Sequence, residues 1–169
     1  MCTKTRETGA IRTRKALRRH FGTLRGSVLI VGVGDRLRGD DGAGSVTAGK
    51  IGDAGLKTTR AIDTGTTPEN HLEAIVNARA DCVVFVDALA GEDAPGTVTV
   101  LRPHDVAETG TSTHMASLRM VFDYLSAAGI RDMRVLGIQP QTTGISEGLS
   151  PRVREAVNTV IAFFTRRES

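Results

Sequence analysis

Cysteine is scarce in this sequence: Cys2 and Cys82 are the only two. So small a number supports no disulfide framework and fits a reducing compartment. Long hydrophobic runs are missing too, and none approaches the ~20 residues that span a bilayer. The amino terminus lacks the apolar block of a secretory signal. A soluble, cytoplasmic protein with no membrane span is expected. Three familiar site motifs are also absent. The G-x-G-x-x-G dinucleotide loop fails, because Gly32 and Gly34 are followed at the third position by Leu37. A P-loop fails because Gly49-Lys50 runs into Ile51 rather than Ser or Thr. There is no G-x-S-x-G elbow, and neither Ser45 nor Ser112 has an evident base.

Charge of one sign is confined to one place. The chain carries a formal net charge of +3 and a sequence pI near 9.2. Residues 1–26 hold eight Lys/Arg and one acid, a net +7, so the remaining chain is +3 minus +7, or −4. The body is mildly acidic and only the amino-terminal arm is basic, which reads as a solvated Arg-rich helix face and not as a nucleic-acid surface. Leu17, Phe21 and Leu24 make the i, i+4, i+7 stripe of a short amphipathic helix over residues 11–24. No repeat, linker or low-complexity segment divides the chain beyond this arm. The expected organisation is a basic helical arm over 1–26 and one α/β domain over 27–169.

The stretch that organises the rest is SVLIVGVGDRLRGDDGAGS, Ser27 to Ser45. It reads as a buried strand that breaks at Gly34-Asp35 and reopens as a helix at Asp40-Asp41-Gly42. Such a junction places a site at the carboxyl edge of a sheet. Paired carboxylates at a helix start would repel a pyrophosphate and suit a cation.

Further strands are expected over 58–63, 82–86, 96–101 and 133–138. Helices are expected over 45–54, 68–79, from the caps Thr111-Ser112-Thr113 to about 128, and from Ser150-Pro151 through Phe164. Only Ala88 to Pro95 separates the third strand from the fourth. A parallel crossover needs a dozen or more residues, so the fourth strand should return antiparallel. The fold class is therefore α/β: a three-layer sandwich with a twisted, mostly parallel five-stranded sheet flanked by helices, plus the helical arm.

Asp41 follows the first strand, Asp87 ends the third, and His114 begins the helix after the fourth. If the 103–112 loop returns the chain to the carboxyl edge, the three form an oxygen/nitrogen site with open positions, suited to nickel or zinc. Each residue alone has an ordinary reading, as helix-dipole partner, turn former or surface histidine. Cys82 reads as a small buried hydrophobe. His20, His71 and His104 read as solvated. Gln139 could line the site or cap a loop.

These segments also carry a family pattern. VLIVGVGDRLRGDDGAG, DTGTTPEN, VVFVDALAGEDAPG, TSTHMASL and LGIQP together resemble the hydrogenase maturation endopeptidases, with the last two most similar to those acting on hydrogenase 3. The resemblance covers about residues 27–164. It implies removal of a carboxyl-terminal extension from a nickel-loaded [NiFe] hydrogenase large-subunit precursor. It also implies metal binding and catalysis through Asp41, Asp87 and His114. The nickel would be carried by the precursor, with zinc or another divalent ion able to stand in. The family usually has asparagine where this chain has Asp35, a change that preserves a turn. A non-proteolytic assembly chaperone and a nucleotide- or anion-binding module are the alternatives from other classes.

Overall fold

The computed structural model describes residues 9–106, 112 and 114–168. After helix α1 (Gly9–Phe21) come strand β1 (Val28–Gly32), a 3-10 turn (Gly39–Gly42) and α2 (Ala43–Asp53). Strand β2 (Thr59–Asp63), a second 3-10 turn (Pro68–His71) and α3 (Leu72–Asn77) come next. The remainder is β3 (Cys82–Ala88), β4 (Val98–Leu101), α4 (Met115–Ala127), β5 (Met133–Ile138) and α5 (Pro151–Thr165). The strands form one five-stranded sheet in the order β2-β1-β3-β5-β4. Every neighbouring pair is parallel except β4 with β5, which is antiparallel as the short 88–95 connection requires.

Period-2 alternation assigns each strand residue to a layer. Val28, Ile30, Val84, Val86, Leu136 and Ile138 face the helices α1, α2 and α5, meeting Leu17, Ile51, Val157 and Phe164. Leu29, Val31, Val83, Phe85, Met133 and Val135 face the other way, onto Ile75 of α3 and Leu118, Val121 and Leu125 of α4. All five phenylalanines sit in ring contacts that seal these layers. Phe85 meets Phe122 edge-on at 5.0 Å, and Phe21 meets Phe164 at 5.4 Å. Full burial of such a side chain contributes about 1.5–3 kcal/mol.

The structure moves several expected boundaries. The expected 68–79 helix is a 3-10 turn and then only Leu72–Asn77, since β-branched residues and asparagine are weak helix formers. Arg79, at φ 48°, then turns the chain into β3. The α1 helix starts and stops a little earlier than the apolar stripe suggests. Thr111 and Thr113, expected as caps, lie outside the described residues. The third strand does not stop at Val86: Asp87 and Ala88 still pair in register with Gly137 and Ile138. Asp87 is therefore a strand residue and not a turn former, and it shares the parity of Val83 and Phe85.

α2 approaches the sheet closely where Gly44 of its first turn and Gly32 at the end of β1 lack side chains. A Cβ at Gly44 would stand 2.0 Å from the Val86 carbonyl oxygen and 2.3 Å from that of Val33. One at Gly32 would stand 2.3 Å from the Gly44 oxygen. Gly52, later in the same helix, has nothing nearer than 4.0 Å. Two glycine-to-alanine changes in one helix thus have opposite signs. Gly44→Ala should destabilise by about 1–3 kcal/mol through overpacking. Gly52→Ala should stabilise by about 0.5–1 kcal/mol through helix propensity. Urea midpoints of the two variants check both.

Candidate functional site

The loop after β1 is built to present Asp41. Val33 still donates to the Val86 carbonyl at 2.9 Å, which carries the strand pairing to the sheet edge. The chain turns at Gly34 with φ 138°, where a Cβ would lie 1.8 Å from the Asp41 carbonyl oxygen, so only glycine admits the return of the loop. Asp35 Oδ1 accepts from the Leu37 amide at 2.9 Å, an Asx turn that supports the turn reading of this position. Its own amide donates to Asp41 Oδ2 at 3.1 Å, orienting that carboxylate. Ser45 Oγ donates to the Gly34 carbonyl at 2.7 Å and ties the helix back onto the turn.

The adjacent carboxylates have opposite duties. Asp40 is fully buried and accepts from three amides of the distant loop after β5: Gln141 at 2.8 Å, Thr142 at 3.2 Å and Ser150 at 2.7 Å. It acts as an anchor. Asp41 points the other way, toward His114, with Nε2 to Oδ2 at 4.0 Å. Asp87 emerges from β3 on the α4 face and meets the same imidazole, with Nδ1 to Oδ1 at 3.4 Å. The ring thus lies between two carboxylates. All three side chains are nearly sealed, at 4% exposure for Asp41, 0% for Asp87 and 8% for His114.

Ser112, read from the sequence as a cap without a base, is part of this cluster. Its hydroxyl donates to Asp87 Oδ2 and accepts from the His114 amide at 3.0 Å. A serine two residues before a histidine at a helix start was the available signal. The bond to Asp87 appears only once β3 and α4 share a face. Asp87 Oδ1 also accepts from the Ala88 amide at 2.9 Å. Gln139 resolves to the loop-capping role, its Oε1 accepting from Gly91 at 2.8 Å. Cys82 is buried and its thiol is pushed up to about 12, first by desolvation and then by the nearby Asp132 carboxylate, which makes it inert. His104 is exposed beside Asp105, at 3.1 Å.

Burial pushes the Asp87 carboxyl up, opposed by the bonds from His114, Ser112 and Ala88. The hydrogen bond to Asp87 raises His114 above its usual 6.5, against its own desolvation, and the Asp87, Asp41 and Asp35 charges add to the rise. The Asp87 and Asp41 carboxylates thus both favour the charged form of this imidazole. Among the described residues no three His, Cys, Asp or Glu side chains stand arranged to hold a metal ion. The donor set itself, two carboxylate oxygens and one imidazole nitrogen, fits a divalent cation of intermediate softness. A cation at a ring nitrogen of His114 competes with protonation there.

A family profile described as HycI, hydrogenase maturation protease, matches residues 53–167. The chain is 35% identical to the hydrogenase 3 maturation protease of Escherichia coli (strain K12) over 129 residues, 76% of this chain and 82% of that one. Its fold superposes on the crystal structure of the [NiFe] hydrogenase maturation protease HycI from Thermococcus kodakarensis KOD1. The TM-score is 0.75 at 27% identity, covering 85% of this chain and 93% of that one. The solution structure of the endopeptidase HycI from Escherichia coli matches with a TM-score of 0.73 at 31% identity, covering 85% and 92%.

Two measurements test this geometry on the metal-free protein. The His114 imidazole should titrate above 6.5 by NMR, and Asp87→Asn should bring it down. Because the folded value exceeds the unfolded one, His114 contributes stability that is full below about pH 6.5 and is lost as pH rises through the folded pKa. The wild type should therefore lose more stability across that window than Asp87→Asn. Asp40→Ala removes the acceptor of three part-buried amide bonds and should cost about 1–3 kcal/mol by chemical denaturation.

Proposed function

The chain belongs to the hydrogenase maturation protease family, and from that premise we propose that it is the endopeptidase for a nickel-loaded [NiFe] hydrogenase large-subunit precursor. It removes the carboxyl-terminal extension of that precursor, in the cytoplasm. Asp41, Asp87 and His114 complete the coordination of the nickel that the precursor carries, and are at once the metal-binding and the catalytic residues. One observation carries this reading. Side chains from three separate segments converge, nearly sealed, at one sheet edge with an oxygen, oxygen and nitrogen donor set.

The nickel is substrate cargo, and binding it positions the adjoining peptide bond. No serine, threonine or cysteine among the described residues is poised as a nucleophile: Ser112 Oγ is committed to Asp87 and Cys82 is inert, so hydrolysis proceeds by direct attack of water. His114 coordinates through a ring nitrogen that carries no proton. A carboxylate oxygen of Asp41 or Asp87 left free by the cation would accept a proton from the attacking water. The metal requirement belongs to the substrate complex, so the isolated protease is not expected to carry a bound ion.

Intact-mass analysis of precursor incubated with this protein should show loss of a carboxyl-terminal peptide only when the precursor is nickel-loaded. Asp41→Ala and His114→Ala should each slow processing by at least about 100-fold while keeping a cooperative unfolding transition. Normal processing by both variants would remove the metal-site reading. Tight binding without cleavage of any nickel-loaded precursor would make the protein an assembly chaperone instead.

A further inference from the structure

The edge of the sheet opposite Asp41 and Asp87 carries a different chemistry. α1 ends there before the chain enters β1, and α5 returns there after β5. Between the two helices lies a groove of about 720 Å³. Arg14, Arg18, Arg25, Arg166 and Arg167 line it, and among the described residues no carboxylate does. Its floor is apolar, made by the half-buried Leu24 and Phe163 over the sealed Phe21 ring. Arg167 is built into the wall, donating from Nη2 to the Leu24 and Gly26 carbonyls at 3.4 Å. Arg14, Arg18, Arg25 and Arg166 are exposed at the rim.

Basic residues at helix carboxyl ends usually complement the helix dipole. Two helix ends supply only about −0.5 elementary charge each. The four exposed guanidiniums of Arg14, Arg18, Arg25 and Arg166 alone exceed that several-fold, so the groove keeps a positive surplus. Arg134, outside the groove, lies over the Phe21 ring at 5.3 Å. One wall of the groove comes from the basic segment 1–26 and the other from α5 and the residues that follow it.

We propose that this groove is a second binding site, taking an acidic segment of a partner protein in which carboxylates alternate with apolar side chains. Carboxylates meet the guanidinium rim and apolar groups cover the phenylalanine floor. The floor argues against nucleic acid, whose bases stack on successive exposed rings. Phe21 is 1% exposed, and the half-buried Phe163, packed against Phe21 and Phe164, is the one floor ring with exposed area. Concavity argues against a bilayer, which would touch the rim alone. At ~3.3 Å per residue, a strand of five residues puts the groove roughly 17 Å or more from the site at the other edge, so both can be occupied together.

Fluorescence anisotropy on the full chain tests the assignment. The probe is a labelled peptide of about twelve residues with glutamate at every second position and leucine or alanine between. It should bind saturably, and weaken as salt rises. Its affinity should fall at least tenfold in an Arg14→Glu, Arg18→Glu, Arg166→Glu variant of unchanged Tm. The milder Arg14→Gln, Arg166→Gln pair should weaken it at least threefold. A glutamine version of the peptide should not bind. Absence of saturable binding, or equal binding by the triple variant, would overturn the proposal. So would tighter, rim-dependent binding of oligouridylate or of phosphatidylglycerol vesicles, which would assign the groove to phosphate ligands.

Discussion

The constraint on which the arrangement depends is the contact between two glycines, Gly32 at the end of β1 and Gly44 in the first turn of α2. Without side chains there, the helix comes down until its backbone touches the carbonyl of Val86 in β3. A helix held a few ångströms higher would lift the preceding turn away from β3. Asp41 would then lose the position that brings it within 4.0 Å of His114. The site is therefore located by backbone approach before any polar contact is made. That approach is rigid, since it is fixed by atoms that cannot rotate aside.

Upon that frame, parity and anchoring divide the work. The alternation of β3 sends Asp87 to the α4 face, where the first residue before α4 is His114. The 3-10 turn sends Asp40 and Asp41 in opposite directions, one into backbone amides and one into the site. Ser112 couples the two ligand-bearing elements by bonding Asp87 and the His114 amide at once. The buried Asp40, Asp87 and His114 side chains thus each have a polar partner, as burial at this level demands. The imidazole between two carboxylates is the element whose protonation a cation must contest.

Much of this was legible from residues alone. The apolar run at 82–86 marked the central strand, and the eight residues from Ala88 to Pro95 were too few for anything but an antiparallel return. The segments around Asp41, Asp87 and His114 carried the family pattern, which the profile match and the structural superpositions bear out. What stayed hidden was orientation. Asp40 and Asp41 are chemically identical neighbours, and the loop that claims Asp40 lies about a hundred residues away. Ser112 looked like a cap because its acceptor belongs to another element. The length of β3 was underestimated because a strand-end aspartate usually signals a turn, whereas here backbone pairing with Gly137 and Ile138 of β5 carries the strand through Ala88.

The anchoring of Ser150 by Asp40 bears on when this chain can act. By the time residue 114 has left the ribosome every proposed ligand has been synthesised, yet β5 and the 139–150 loop have not. β3 then lacks its neighbour on one side, and the turn that carries Asp41 lacks the amides that hold Asp40. Contacts of such long sequence separation form late. A nascent or truncated chain therefore carries the components without the assembled centre, and chemistry at that centre begins only once the whole domain has closed.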